Sequence, residues 1–322
     1  MPDDGPHAPP DASFDPTLQR RLTGGLRAWR ATLGPRLGPL FDRLAEGLQI
    51  YRDTWPTWFF HPRGLPVSLL PYWCARIEGG AAIDEARVFD AALSGALGYL
   101  HVRVQDDLID EGRGEPGGAM LLSDALFQGH QRRLLRVVGA DAAFWDLFDA
   151  TWAAYGEAML YEQALHQGEG VTTQEAFDAV LLRSRPLLLP PAAVLHARGL
   201  ASLIPDLASF VHHLAAAHQL YMDCLDAEKD LAHHNHTFVV NQCKGEGSLA
   251  SLRQGLYVRG GMSRIGAQIS RALDHAEGHA RTLGIFEALE ELRARRALAS
   301  TLEGGTQDAL ARALLSQLLG DQ

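Results

Sequence analysis

Residues 104–114 read VQDDLIDEGRG, a stretch that places several carboxylates inside an otherwise mostly apolar segment. An unpaired carboxylate that leaves water costs several kcal/mol or takes up a proton. On a helix, Asp106 and Asp110 share one face and Asp107 lies beside them. Three carboxylates on one turn repel each other unless a cation lies among them, and hard oxygen ligands suit Mg²⁺. Taken alone, the stretch fits a solvated acidic helix end equally well.

A second acidic stretch, QLYMDCLDAEKDLAHHNHTF at 219–238, favours the metal interpretation. Asp223, Asp226 and Asp230 follow one another at i, i+3 and i+7, which is again one face of a helix. Two acidic faces on two long, otherwise apolar helices predict a bundle whose core opens into a polar mouth. Mg²⁺ ions held there would bind a diphosphate, while the apolar residues deeper in the bundle would contact a hydrocarbon tail.

The rest of the chain predicts an all-α fold in a single domain over residues 18–322, with roughly ten helices. Pro, Asp and Ala dominate residues 1–17, which are expected to form a disordered tail. Apolar residues then recur at helical spacing almost continuously, and alternation typical of strands is rare. The predicted helices lie near 18–33, 37–53, 83–113, 119–138, 142–167, 173–184, 204–233, 246–255, 262–282 and 285–301.

Composition excludes several classes of protein. The net charge is −10, from 39 acidic and 29 basic residues, which argues against a nucleic-acid partner because such proteins present a basic face. The three cysteines show no CxxC spacing and indicate a reducing compartment. No secretory signal is visible, and no segment supplies the about 20 uninterrupted apolar residues that a spanning helix needs. We therefore expect a cytoplasmic protein that does not insert stably into membranes.

These motifs resemble those of the trans-isoprenyl diphosphate synthases and, more widely, the class I isoprenoid synthases. DDLID at 106–110 matches the DDxxD motif in full, GRGEP at 112–116 is similar to RRGxP, and HPRGLP at 61–66 faintly resembles GKRxRP. The resemblance covers about residues 58–245. The second motif, approximately FQxxDDxxD followed by DLxxGKxT, is matched by Gln219, Asp223, Asp226, Asp230, Leu231 and Thr237.

The resemblance implies a helical bundle of the isoprenoid synthase type that binds an allylic prenyl diphosphate with about three Mg²⁺ ions, and it implies a possible homodimer. Ionisation of the substrate would follow from metal binding to the leaving diphosphate. The expected catalytic residues are Asp106, Asp107, Asp110, Asp226 and Asp230. The expected metal ligands are Asp106, Asp107, Asp110, Asp223, Asp226 and Asp230.

Departures from the family pattern concern the cations that bind the second, acceptor diphosphate. The family Lys, Arg and His fall on Pro62, Leu65 and Tyr99, so only Arg63 and Arg113 remain. Each lost charge-assisted contact is worth about 1.5–3 kcal/mol. We therefore expect a cyclase-like terpene synthase. The alternatives are a chain-elongating prenyltransferase and a catalytically inactive isoprenoid-binding subunit.

Other departures lie in the second motif, whose first Asp falls on Met222 and whose GK falls on His234 and Asn235. The cation that contacts the diphosphate is then expected to be Arg183, Arg185 or Lys229. His101 either limits substrate length or is a hydrogen-bonded core histidine, and a zinc site among the histidines at 212–236 has no recognised ligand spacing. The expected substrate-binding residues are Arg63, Arg113, Arg183, Arg185, Gln219, Lys229, Asn235, Tyr99 and His101.

Overall fold

The computed structural model describes residues 16–48, 50, 65–110, 116–166, 168 and 170–302, and these residues contain helices and no strand. The predicted all-α fold is therefore confirmed. The helices are α1 (Pro16–Arg30), α2 (Leu37–Gly47), α3 (Leu70–Ala75), α4 (Glu85–Asp110), α5 (Pro116–Val138), α6 (Ala142–His166), α7 (Gln174–Val180), α8 (Leu189–Ala197), α9 (Ile204–Ala232), α10 (Phe238–Cys243), α11 (Leu249–Arg253), α12 (Gly261–Leu283) and α13 (288–302).

Two pairings of long helices organise the bundle around α4 and α9. α4 packs along α5 and also against α8, and α9 packs along α12. Leu93, Leu97 and Leu100 of α4 are fully buried, as is Leu126 of α5. Burial of one leucine side chain stabilises a fold by about 1.5–3 kcal/mol. α4 is apolar along its middle turns because they lie inside the bundle, and its acidic residues lie near its start, at Glu85 and Asp90, and in its last turns.

Short helical segments connect these long helices and place the site between them. A 3₁₀ helix at Leu181–Leu188 leads from α7 into α8, and it packs against α6 and α9. A second short 3₁₀ turn, Ala201–Leu203, precedes α9, and a π-helical turn, Gln254–Val258, follows α11. The 3₁₀ helix at 181–188 therefore contacts α4, α6 and α9.

The structure contains helices that the periodicity did not predict. α8 carries Pro190 and Pro191, which normally argue against a helix, but they lie in its first turn, where a backbone N–H has no intrahelical partner to lose. α3 and α10 are also additional, and both are too short to show a period. α1 begins at Pro16, so residues 16 and 17 of the tail expected at 1–17 are helical, and residues 1–15 lie outside the described residues.

No helix within the described ranges combines the length and apolar character required to cross a bilayer.

The approach of α4 to the segment before α3 depends on a glycine. A Cβ atom on Gly95 would lie 2.7 Å from the carbonyl oxygen of Val67, a backbone atom that cannot rotate away. A Cβ atom on Gly278, inside α12, would meet no neighbouring atom within 4 Å. The two glycines therefore form a matched pair for testing this helix contact.

We predict that Gly95→Ala lowers the free energy of unfolding by about 1–3 kcal/mol, because α4 must move away from Val67. Gly278→Ala should raise it by about 0.5–1 kcal/mol through helix propensity alone. Urea titrations followed by circular dichroism measure both changes. Equal effects of the two substitutions would contradict the close approach at Gly95.

Candidate active site

A single cavity of about 320 Å³ receives acidic side chains from both motifs. Asp106 reaches it from the end of α4, and Asp223, Asp226 and Asp230 reach it from the second half of α9. The cavity also extends along apolar wall residues of α4, α6, the 181–190 segment and α9. These wall residues are Leu65, Val67, Val102, Met159, Pro186, Leu187, Pro190, Ala215 and Met222. The structure thus places a polar mouth and an apolar interior in one space.

The charges around this cavity are unbalanced. Asp106, Glu162, Asp223, Asp226 and Asp230 line it, whereas the cationic side chains in its described wall belong to two arginines. An excess of carboxylate oxygens with space left between them is the donor set that Mg²⁺ or Ca²⁺ takes. Within the described ranges, no three acidic, His or Cys side chains are already gathered closely enough to hold a metal ion.

The arginine that lies deeper in this cavity, Arg183, is held by a chain of hydrogen bonds. It donates through one Nη to Glu162 Oε2 at 2.6 Å and through the other to Gln219 Oε1 at 2.7 Å. Gln219 in turn donates to Asp223 Oδ1 at 2.6 Å. Burial alone disfavours the charged guanidinium, but the carboxylates of Glu162, Asp106 and Asp223 outweigh it and raise the pKa of Arg183. The side chain is thus a fixed cation.

Asp223 ends that chain and is buried. Burial raises the pKa of its carboxyl group to about 7, and the neighbouring carboxylates of Asp230 and Glu162 act in the same direction. Arg183 and the hydrogen bond from Gln219 oppose the rise without cancelling it. A carboxyl group that holds its proton near neutral pH can exchange it for a metal ion when the ligand arrives.

The first motif is partly neutralised by a neighbour on its own helix. Arg103 lies 3.3 Å from Asp106 Oδ2 and 2.7 Å from Asp107 Oδ1. Arg103 and Asp106 line the cavity, whereas Asp107 does not. Asp110 is the last residue of α4, and its side chain lies outside the described part of the structure. Of the DDLID carboxylates, Asp106 is thus the one that the structure places in the cavity.

The loop after α9 brings Asn235 and Thr237 to the cavity. His234, in the position where the family motif has Gly, adopts a left-handed backbone with φ of 60°. That conformation costs a non-glycine residue of order 1 kcal/mol. The backbone N–H of Val171 donates to the His236 carbonyl oxygen at 2.8 Å, which holds the loop. His234 therefore adopts the left-handed conformation that usually favours glycine, although the residue is a histidine.

The structure does not bring every predicted residue to the cavity. Arg185 and Lys229 are exposed and do not line it. His101 is buried away from the cavity wall, with its Nδ1 atom 3.0 Å from the Ser123 carbonyl oxygen. Arg63 and Arg113 lie outside the described residues. The predicted substrate-binding residues that do line the cavity are Arg183, Gln219, Asn235 and Tyr99.

Some cavity residues were not predicted. Arg103 had a usable signal, since it precedes Asp106 and Asp107 by three and four positions on one helix face. Glu162 had no such signal, because its role comes from Arg183, which is distant in the sequence. His130 and His218 also line the cavity, and no motif marked them as part of it.

Comparisons with known proteins support the fold. A scan of protein-family models gave no match, and neither did a search of curated protein sequences. Among solved structures, the chain is similar to a polyprenyl synthase from Caulobacter crescentus complexed with calcium and isoprenyl diphosphate. The TM-score is 0.66 at 16% identity, over 90% of this chain and 99% of that one.

Two further solved structures give the same result. A heptaprenyl diphosphate synthase from Staphylococcus aureus matches with a TM-score of 0.68 and 13% identity, covering 90% of this chain and 99% of that chain. A geranylgeranyl pyrophosphate synthase from Corynebacterium glutamicum matches with a TM-score of 0.60 and 17% identity, covering 89% and 93%. The chain therefore has the all-helical isoprenyl diphosphate synthase fold, and the resemblance seen in its motifs is confirmed at the level of fold.

The raised pKa of Asp223 predicts a pH dependence of stability in protein treated with a chelator. Below about pH 4 this carboxyl group is protonated in the folded and the unfolded chain alike. As the pH rises to about 7, the unfolded chain releases the proton and the folded chain retains it, so the folded state loses relative stability.

We predict that Asp223→Asn abolishes this loss, because its amide does not titrate. The difference in unfolding free energy between the variant and the wild-type protein should shift in favour of the variant across that pH range. Denaturant titrations at several pH values measure it. A difference that does not change with pH would contradict the assignment of a raised pKa.

Proposed function

We propose that the chain is a divalent-metal-dependent prenyltransferase that ionises an allylic prenyl diphosphate and joins the prenyl group to an acceptor. The observation that carries this proposal is the meeting of both acidic motifs in one cavity with an apolar interior. The names of the similar solved structures support prenyl transfer as the reaction, which favours the chain-elongating alternative over the cyclase expected from the sequence.

The carboxylates would hold the metal. Asp106 on one side of the cavity and Asp226 and Asp230 on the other are the proposed ligands, and Asp223 would join them after losing its proton. Asp107 and Asp110 stay proposed ligands from the motif alone. When bound, Mg²⁺ supplies Lewis-acid chemistry by neutralising charge on the leaving diphosphate. That the metal is Mg²⁺, and how many ions bind, stay predictions.

Arg183 is the proposed diphosphate contact among the protein's own cations. Its guanidinium is planar and can donate to two oxygens in parallel, which suits a phosphate. Glu162 and Gln219 already fix its orientation, so little reorganisation is required when negative charge develops on the leaving group. Asn235 offers a neutral donor from the loop on the same cavity.

The apolar wall has a separate role in this proposal. An allylic carbocation is quenched by water, so the cavity must exclude water while the prenyl chain reacts. Val102, Met159, Leu187 and Ala215 supply aliphatic surface for that purpose, and Tyr99 adds an aromatic ring whose face can stabilise a cation.

Cyclisation is the second candidate, and one observation favours it. Leu65 and Tyr99 line the cavity at positions where the family has Arg and His, so this wall lacks two cations that bind an acceptor diphosphate. Without an acceptor, the cation would react internally. A non-catalytic isoprenoid-binding protein remains the third possibility. Homodimerisation and a cytoplasmic location stay predictions.

The decisive experiment supplies geranyl, farnesyl or geranylgeranyl diphosphate with Mg²⁺, with and without isopentenyl diphosphate, and analyses the extracted products. We expect longer linear diphosphates when the acceptor is present. Asp106→Ala should lower turnover by roughly 10²-fold or more, because charge on the leaving group is no longer neutralised. Circular dichroism checks that the variant stays helical.

The other outcomes separate the candidates. Cyclic hydrocarbons formed equally well without the acceptor would establish the cyclase instead. Prenyl diphosphate binding without any diphosphate release would establish the binding protein. Normal turnover in the Asp106 variant would remove the first motif from the mechanism.

The structure also distinguishes two nearby arginines that the sequence could not. Arg183→Gln should raise the KM for the allylic diphosphate roughly 10- to 100-fold, from the loss of a charge-assisted contact worth about 1.5–3 kcal/mol. Arg185→Gln removes the same charge from an exposed side chain outside the cavity and should change KM by no more than about twofold. Steady-state kinetics measure both, and thermal melting controls for stability. Equal effects would contradict the assigned role of Arg183.

A further inference from the structure

His218 is a histidine of the cavity wall that the mechanism above does not use. It lies on α9 about 7 Å along the helix axis from Asp223, on the side away from the acidic mouth. It lines the main cavity and also a small adjoining space next to Arg295. If a prenyl diphosphate bound with its diphosphate at the carboxylates, its prenyl chain would therefore lie beside His218.

His218 differs from the other histidines near the cavity in its partners. His130 has its Nδ1 atom 3.0 Å from the Ser94 carbonyl oxygen and only its buried Nε2 atom without a partner, and the Nδ1 atom of His101 is bonded to Ser123. Neither ring nitrogen of His218 forms a hydrogen bond with another described residue, and the residue is partly buried. Its ring nitrogens are thus available to the contents of the cavity.

The surroundings keep this ring neutral. Burial lowers the pKa of His218 to about 3, and the positive charges of Arg295 and Arg183 on either side lower it further. Arg295 is itself paired with Glu291 at 2.6 Å, and Arg183 with Glu162 at 2.6 Å. Asp223 is the nearest acidic residue of the mouth on the same helix. A neutral imidazole with a lone pair consequently faces the prenyl cavity throughout the physiological pH range.

We infer that His218 is a catalytic base that ends the reaction by removing a proton from the prenyl carbocation, which gives the chain an olefin-forming activity when no acceptor is bound. This inference rests on the proposed ionisation of an allylic diphosphate.

The steps balance without a further reagent. The C–O bond of the allylic diphosphate breaks, and its electron pair leaves with the diphosphate. A C–H bond next to the cationic carbon then breaks, its pair forms the new C=C bond, and the proton passes to a ring nitrogen of His218. The imidazolium lies between two arginines, so it gives the proton up to the released diphosphate. A carbocation is acidic enough to protonate even an imidazole of low pKa.

The position of His218 is why the proton that it removes would come from the bound prenyl chain. The ring lies deeper along α9 than Asp223, Asp226 and Asp230, so it would neighbour the hydrocarbon rather than the diphosphate. The other route for the trapped cation is capture by water, which gives an alcohol. The ratio of olefin to alcohol therefore reports on the base, independently of the rate of ionisation.

The test uses the full chain with Mg²⁺ and farnesyl diphosphate and without an acceptor. His218→Phe keeps a ring of similar size, and His218→Gln keeps a polar side chain that is not basic. His212→Phe is the matched control, because it makes the same change on the same helix outside the cavity. Diphosphate release, olefin and alcohol are measured separately.

We expect the wild-type protein and His212→Phe to release mainly olefin. In both His218 variants the ratio of olefin to alcohol should fall by about 10²-fold, the usual contribution of a general base, while diphosphate release changes only severalfold. An unchanged ratio in both His218 variants, or a wild-type protein that forms only alcohol, would overturn the inference. Absence of diphosphate release without an acceptor would also overturn the inference, and absence of release with isopentenyl diphosphate present as well would overturn the proposed function.

A second measurement does not depend on turnover. Diethyl pyrocarbonate modifies neutral, accessible imidazoles, and peptide mass spectrometry identifies each modified histidine. His218 should be modified in the free protein and protected by a non-ionisable thiodiphosphate analogue of the prenyl substrate, whereas modification of His212 should be unaffected by the analogue. Analogue binding that leaves His218 unprotected would also overturn the inference.

Discussion

The structure depends on one electrostatic constraint, an excess of carboxylates gathered at the end of an otherwise apolar helical bundle. Burying unpaired carboxylates is costly, so each must find a cation or keep a proton. Arg103 lies against Asp106, Arg183 is bonded to Glu162, and Asp223 keeps a proton to near neutral pH. These ion pairs and the retained proton do not neutralise all the carboxylates that line the cavity. The remaining deficit of positive charge is what supports the proposal that a divalent cation binds there with a diphosphate.

Arg183 connects this constraint to the architecture of the bundle. It belongs to the 3₁₀ helix between α7 and α8, and its hydrogen bonds reach Glu162 on α6 and Gln219 on α9. One side chain thus ties three elements together at the cavity. A guanidinium held at both ends has few accessible rotamers, so the site is organised before a ligand arrives. Stability of the bundle and orientation of the diphosphate contact consequently rest on the same hydrogen bonds.

The sequence predicted what local spacing controls, and it was less informative where distant residues meet. Both acidic motifs could be found because carboxylates at helical spacing in apolar helices are unusual, and the long helices could be found from their period. α8 was missed because Pro190 and Pro191 are compatible with a helix only in its first turn, which the pattern alone does not locate. Arg183 and Arg185 are equivalent in the sequence, and only the path of the 3₁₀ helix separates the half-buried cation from the exposed one. Glu162 and His218 acquire their roles entirely from tertiary neighbours.

The asymmetry of the cavity bears on the fate of the prenyl cation. Asp106, Asp226 and Asp230 line it, and under the proposed function they would support departure of the allylic diphosphate. Its described wall also has Leu65 and Tyr99 at positions where the family has cations, so an acceptor diphosphate would be bound less firmly. A prenyl cation that forms readily while the acceptor is weakly bound would persist longer. A nearby base would then deprotonate it more often. A neutral imidazole on the wall would then matter more in this chain than in a synthase with a complete set of acceptor cations. Under the proposed function, the balance between chain growth and elimination would thus be set by two local features, the missing cations of the cavity wall and the histidine on α9.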